Sequence, residues 1–291
     1  MAENVEKLVG DYRDGRISRR KFIQRTTLLT GSLAAAMAMI DSLLPYPARA
    51  AQVDANHPAL ASSDVKFAAP DGTAISGYLT RPKDENRRPA VVVVHEWRGI
   101  DDYIRDVARK LAKAGYVALV PDLLSRKGGT TSFPSPQAAT DALLKIDEGT
   151  ITGDLTTAVN YLKGQNFVRA NEIGVIGFCW GGGKALAFTT RNKDLAAAVI
   201  YYGDNPRNLE DVKNITAPVL GQYGEADERI TSGVSKLQEA MRKYGKSFDY
   251  KVYPGAPHGF NSDTSPQNYR EEAAKEAWRR TLVFFKKHLQ S

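Results

Sequence analysis

Residues 173–183 read Ile-Gly-Val-Ile-Gly-Phe-Cys-Trp-Gly-Gly-Gly, and this stretch decides the architecture. The first four residues form a short apolar run of the kind that makes a buried strand, and residues 181–190 can make a helix directly behind it. Between the two lies Gly177-Phe178-Cys179-Trp180-Gly181, a G-x-nucleophile-x-G pattern with cysteine in the nucleophile position. Glycine at both ends relieves crowding where a strand turns sharply into a helix. Such a turn projects the sulfur above the sheet and aims the first helical N–H groups at an anion. A buried cysteine at a glycine-rich packing turn is the plainer alternative, but the strand–turn–helix setting favours the nucleophile. Phosphate-binding readings fail: Gly183-Lys184 is followed by Ala185, Phe178 stands where a phosphate loop needs its first glycine, and G-x-G-x-x-G is absent here.

Working outward, the same strand–helix alternation repeats. Residues 90–94, Ala-Val-Val-Val-Val, are a continuous apolar run expected of a strand covered on both faces. Helical spacing comes next over 103–114, then a strand over 116–120 and a helix over about 154–162. Strands at 196–201 and 219–223, a helix at 232–244, a strand at 248–253 and a helix at 271–289 complete the series. Upstream, residues 65–79 suggest two short strands around the turn pair Asp71-Gly72. The pattern predicts a three-layer α/β fold with a mostly parallel central sheet, in one domain over 65–291 behind an arm at 51–64. Residues 125–146 are the least regular connection and suit either a lid or a surface excursion.

A thiol nucleophile needs a base and a group that orients the base. His258 comes after the strand at 248–253, in Pro257-His258-Gly259-Phe260; Asp227 comes after the strand at 219–223, in Gly224-Glu225-Ala226-Asp227. His57 lies near the start of the arm, His288 lies in the basic end of the last helix, and His95-Glu96 lacks the second histidine of a metal-binding HExxH. Glu225 is the rival to Asp227. The order Cys179, Asp227, His258 is nucleophile, acid, histidine, the order of α/β-hydrolases, with each residue at a strand end.

The remaining composition limits the alternatives. The 291 residues include a single cysteine, which rules out an intrachain disulfide or a thiolate metal cluster. Ser18-Arg19-Arg20-Lys21-Phe22-Ile23-Gln24 precedes a short apolar stretch, and Ala48-Arg49-Ala50 ends it. This resembles a twin-arginine export signal over residues 1–50, so an exported or periplasmic location and a transient export-machinery partner are expected. A basic amphipathic tail is the alternative. The apolar stretch is too short to span a bilayer, so no stable membrane insertion is expected. The formal charge of +7 falls to +4 without residues 1–50, and no dense basic stripe accompanies it, so no nucleic-acid partner is expected.

At these residues the chain resembles the dienelactone hydrolase family, through His95-Glu96-Trp97-Arg98-Gly99, Pro121-Asp122-Leu123, Gly177-Phe178-Cys179-Trp180-Gly181-Gly182, Asp227 and Pro257-His258-Gly259-Phe260. The resemblance implies a Cys-Asp-His hydrolase acting on a small ester or lactone, with no cofactor and no metal. It also implies that Glu96 interacts with the resting cysteine and that the backbone N–H groups of Trp97 and Trp180 form the oxyanion hole. Arg126 matches an arginine that meets a substrate carboxylate. The family's second such arginine would fall at position 262, which is Ser262 here; Arg98 is the candidate to compensate. A thiol-dependent acyltransferase and a non-catalytic binding protein of the same fold are the competing readings.

Overall fold

The computed structural model describes residues 7–8, 11, 16–17, 19–30 and 53–290. Strands β1 (Leu60–Ala68), β2 (Ala74–Pro82), β3 (Arg88–Val94), β4 (Val117–Pro121), β5 (Val168–Phe178), β6 (Ala197–Tyr201), β7 (Val219–Gly224) and β8 (Phe248–Tyr253) form one sheet in the order β1-β2-β4-β3-β5-β6-β7-β8. β1 and β2 pair antiparallel, as do β2 and β4; every pairing from β4 through β3 to β8 is parallel. The helices are α1 (Arg19–Thr30), α2 (Asp102–Lys113), α3 (Pro136–Leu143), α4 (Glu148–Lys163), α5 (Trp180–Thr189), α6 (Glu228–Thr231), α7 (Val234–Lys243) and α8 (Glu271–Leu289).

The three layers arise from the strand period of two. Val92 and Val94 of β3, Leu119 of β4 and Val175 of β5 pack into a core with Leu155 and Val159 of α4, Leu186 of α5 and Leu237 of α7. Their alternates Val91, Val93, Val120 and Ile176 enter the opposite core with Ile104 and Leu111 of α2 and Phe285 of α8. Val91 to Val94 are fully buried, and each such side chain contributes roughly 1.5–3 kcal/mol of transfer free energy. Side-chain caps start the crossover helices: Asp101 accepts from the Ile104 N–H at 2.9 Å, and Asp147 from that of Thr150 at 2.8 Å.

One element differs from the sequence expectation and two fill it in. β1 begins at Leu60, inside the stretch read as an arm, and pairs in register with β2 from Leu60↔Pro82 to Ala68↔Ala74. The helix expected at 232–244 is α7, and the four-residue α6 precedes it, set off at Gly233, whose carbonyl is taken by the Asn205 side chain at 2.8 Å. Residues 125–146 contain two 3-10 turns and α3, and Thr140 of α3 donates to the Trp97 carbonyl at 3.2 Å, tying this excursion to the end of β3. Of the expected export segment, Arg19 opens α1, while Ala48-Arg49-Ala50 lies outside the described residues. No helix among the described residues is long and apolar enough to cross a membrane.

Candidate active site

The parallel strands all end on the same side of the sheet, and the site is built from the segments immediately after β3, β5, β7 and β8. At the end of β5, Cys179 adopts φ 55° and ψ −122°, a backbone conformation costly for any residue with a Cβ and typical of strain held at functional sites. Its N–H is fixed by the Tyr201 carbonyl at 3.1 Å. The sharpness of the turn explains the glycines. A Cβ on Gly177 would lie 2.1 Å from the Gly181 carbonyl oxygen, and one on Gly181 would lie 2.2 Å from that of His95. The first turn of α5 therefore abuts the end of β3 at Val94 and His95.

His258 meets Cys179 across this turn: Nε2 is 3.0 Å from Sγ, and Nδ1 is 2.5 Å from Asp227 Oδ2. Asp227 is buried, whereas Cys179 and His258 are half-buried and so remain approachable. Burial alone would push the imidazolium down. The opposing charge of Cys179, hydrogen bonds to Asp227 and Cys179, and the charge of Asp227 outweigh it and raise His258 well above its ordinary value. A protonated imidazole at this distance is the partner a cysteine nucleophile needs in order to react as thiolate. Glu225, the rival acid, instead accepts the Gly255 N–H at 2.9 Å and holds the loop that carries His258.

The end of β3 is organised by His95, which is fully buried. Its Nε2 accepts the Leu123 N–H at 3.2 Å, so the neutral ring carries its proton on Nδ1 and donates to the Glu96 carbonyl at 2.6 Å. Burial is the main reason its pKa is lowered, against the charge of Asp122. In a planar trans peptide the N–H points opposite the carbonyl, so anchoring the Glu96 carbonyl also fixes the Trp97 N–H. The Trp180 N–H is the first in α5 and has no intrahelical acceptor. Asp122 braces the neighbouring loop, accepting from the N–H groups of Leu124 at 3.0 Å and Thr130 at 2.7 Å.

Behind the triad stand two tyrosines that motif reading passed over. Tyr202 has φ 39°, and its ring centroid lies 5.0 Å from that of His258. Its phenol feels the charges of both Glu96 and Cys179, and burial is the largest cause of its strongly raised pKa. The Tyr103 phenol is raised in the same way, by burial and then Glu96, and accepts from Asn261 at 2.8 Å. Both therefore hold their protons well above the ordinary tyrosine range. The sequence signal available was Tyr201-Tyr202-Gly203 at the end of a buried strand.

The two arginines expected to meet substrate both have acidic neighbours within the protein. Arg126 does not present an open fork: Nε and Nη2 reach Asp154 at 3.0 and 2.8 Å, and Nη1 reaches Asp71 at 2.6 Å and Thr73 at 3.0 Å. Its donors are taken by the protein's own carboxylates. Arg98 acts on the Asp101 carboxylate that caps α2. Ser262 is buried, with Oγ 2.9 Å from that of Thr264.

Comparison with known proteins agrees with this geometry. The dienelactone hydrolase family model matches residues 75–289. A candidate carboxymethylenebutenolidase of Methylorubrum extorquens is 34% identical over 91% of this chain and 94% of its own length. A Bradyrhizobium protein assigned as a 2-oxo-3-(5-oxofuran-2-ylidene)propanoate lactonase is 35% identical over 75% of this chain and 92% of its own. The crystal structure of a candidate dienelactone hydrolase from Klebsiella pneumoniae superposes with a TM-score of 0.73 at 30% identity, covering 79% of this chain and 99% of that one. A mostly parallel sheet, a cysteine on the turn after β5, and a histidine held between that cysteine and an aspartate place this chain in the dienelactone hydrolase family, as a carboxylic ester hydrolase with a Cys179-Asp227-His258 triad.

Proposed function

We propose that the protein is an exported hydrolase that opens small esters or lactones through an acyl-cysteine intermediate. The observation that carries this reading is the contact of His258 with Cys179 at 3.0 Å on one ring nitrogen and with Asp227 at 2.5 Å on the other. The Cys179 thiolate attacks the carbonyl carbon, forming a C–S bond while the carbonyl electrons move to oxygen. The Trp97 and Trp180 N–H groups receive that oxyanion. Collapse breaks the C–O bond, and the alkoxide takes the proton of the His258 imidazolium. The now neutral His258 takes a proton from water, and the resulting hydroxide attacks the thioester. Breaking the C–S bond then regenerates thiolate and imidazolium and releases the acid.

Glu96 is assigned the resting-state partner of Cys179, accepting from its thiol; the support is that both residues lie close enough to act on the same Tyr202 phenol. A lactone keeps its leaving alcohol attached to the acyl group until water completes the reaction. The lactonase assignment of the Bradyrhizobium relative supports this substrate class. Wild type and Cys179→Ala compared on aryl esters and small lactones test the chemistry: hydrolysis by wild type alone is expected, and equal turnover by both defeats the mechanism. Export rests on Arg19-Arg20 and Ala48-Arg49-Ala50. Fractionation is expected to find a shortened chain outside the cytoplasm; full-length cytoplasmic protein alone overturns it.

A further inference from the structure

We propose that Tyr202 is a positioning residue of the triad, its buried ring serving as a fixed wall that holds the His258 imidazole in line between Cys179 and Asp227. Among the described residues, Cys179 at φ 55° and Tyr202 at φ 39° are the non-glycine residues with positive φ. They stand just past the ends of the neighbouring strands β5 and β6. For Cys179 the elbow explains the conformation. Tyr202 is not a reacting group, yet its main chain is held as firmly: its N–H donates to the Gln222 carbonyl of β7 at 2.8 Å. A bulky residue stays in this backbone region only where its surroundings impose it, and such outliers concentrate at functional sites. The next residue, Gly203, runs against α5, where an added Cβ would stand 2.3 Å from the Gly182 carbonyl carbon.

The strained backbone sets the ring where both catalytic loops meet it. Tyr202 is fully buried. Its ring centroid lies 5.0 Å from that of His258 with the planes tilted by 59°, 5.4 Å from that of Phe260 and 6.5 Å from that of Phe178. Phe178 precedes Cys179, and Phe260 follows His258 by two residues, so one side chain registers the nucleophile against the base. The His258 hydrogen bonds, at Nε2 and Nδ1, act in the plane of the imidazole. They hold it less firmly once Cys179 carries an acyl group, because sulfur without its charge is a weak acceptor. The contact with Asp227 alone then lets the ring swing about one nitrogen, and the His258 side chain is 24% exposed, so solvent leaves it room. Tyr202 closes the interior side. The ring and not the hydroxyl supplies this wall: the buried Oη, beside the Tyr103 phenol, makes no well-formed hydrogen bond among the described residues.

The inference rests on the triad and not on the substrate, so its test uses no ester. Wild type, Tyr202→Phe and Tyr202→Leu are compared by the ring-proton NMR titration of His258, identified by its absence in His258→Gln, and by iodoacetamide alkylation at pH ~7. Cys179 is the single cysteine, so alkylation has one target. Tyr202→Phe keeps the ring and loses only a hydroxyl without a well-formed bond; its alkylation rate is expected within about twofold of wild type, with the His258 titration unmoved. In Tyr202→Leu the imidazole drifts from the two partners that hold its proton. Its titration is expected to move down by about one unit, a tenfold change in proton affinity, and alkylation to slow about 5- to 10-fold. A ring that only fills the core would lower the unfolding midpoint in Tyr202→Leu and leave both readouts in place, which overturns the inference. Equal shifts in Tyr202→Phe and Tyr202→Leu overturn it as well, by assigning the effect to the hydroxyl. If Tyr202→Leu does not fold, Tyr202→Met, whose flexible chain fills irregular space, takes its place in the same measurements. Failure to turn over any ester defeats the hydrolase reading and leaves these measurements untouched, so the two failures are distinguishable.

Discussion

His95 Nε2 accepts the Leu123 N–H at 3.2 Å while its Nδ1 donates to the Glu96 carbonyl at 2.6 Å, so one buried imidazole joins the loop after β3 to the loop after β4. Neither contact touches a reacting atom, yet together they set the direction of the Trp97 N–H. His95→Ala leaves the Leu123 N–H without its acceptor and the Glu96 carbonyl with only the Gly99 N–H at 3.3 Å, a loss of about 1–3 kcal/mol of stability in urea unfolding. In the folded fraction, kcat is expected to fall about 10- to 100-fold with KM nearly unchanged, if the Trp97 N–H serves as the oxyanion donor proposed above, since such a donor acts mainly in the transition state. His95→Asn, which keeps one donor and one acceptor, is expected to restore part of kcat. A purely structural role would lower stability without this split between kcat and KM.

The raised pKa of His258 has a sign that can be checked twice. The charge of Cys179 is the largest cause acting upward, against burial acting downward. Removing the sulfur in Cys179→Ala is therefore expected to lower the His258 pKa, read as a shift of its ring-proton NMR titration to lower pH. For stability, the folded protein holds the His258 proton above the ordinary value of about 6.5, where the unfolded chain releases it. That contribution is fully present below pH ~6.5 and is lost as pH rises through the raised folded value. Wild-type unfolding free energy is expected to decline across that window, and Cys179→Ala to show a flatter profile. Identical slopes in the two proteins would contradict the ion pair.

The architecture was legible because its signals are local and dense. Val91 to Val94 feed two cores from one strand, and Gly177 and Gly181 mark a turn whose need for glycine is steric. Elements whose identity depends on distant partners were not legible. β1 is an edge strand with much of its length exposed, and its boundary at Leu60 is set by pairing with β2. The four-residue α6 ahead of α7 is too short to carry a helical period, and the turn that follows it at Gly233 is bonded by Asn205, 28 positions away. The triad could be read because each member comes after a buried strand in a recognisable order. The destination of Arg126 could not, because Asp71 and Asp154 lie 55 and 28 positions away and carry no motif.

The glycines of the elbow give a steric prediction independent of catalysis. In Gly177→Ala the new methyl carbon would stand 2.1 Å from the Gly181 carbonyl oxygen and 2.9 Å from the Ala185 Cβ, contacts that backbone on both sides prevents from relaxing. Overpacking of this kind costs about 1–3 kcal/mol and more where main chain must move. Gly177→Ala is expected to lower the unfolding midpoint markedly and to slow Cys179 alkylation by iodoacetamide, because the thiol no longer reaches His258 at 3.0 Å. Gly72→Ala is the control, since no atom lies within 4 Å of its added Cβ. Its cost is confined to the left-handed backbone at φ 83° and leaves the alkylation rate unchanged.

Asp154 and Arg126 separate stability from chemistry in the opposite direction. The Asp154 side chain is 1% exposed and that of Arg126 is 23% exposed, so the pair is anchored in the interior while Asp71 holds its outer edge. Asp154→Ala removes the buried partner and leaves the inner guanidinium donors unmatched, at a cost of about 3 kcal/mol, the low end for a broken buried pair because Arg126 keeps some solvent. Since neither residue contacts the triad, kcat/KM on a neutral aryl ester is expected to stay within about threefold of wild type once unfolded protein is discounted. Arg126→Met combined with Asp154→Leu removes both charges together and is expected to recover much of the lost stability, because an apolar pair leaves no buried charge unpaired. Denaturation midpoints of the single and double variants read the coupling directly. A double variant no more stable than Asp154→Ala would mean that the cost lies in packing and not in the stranded charge.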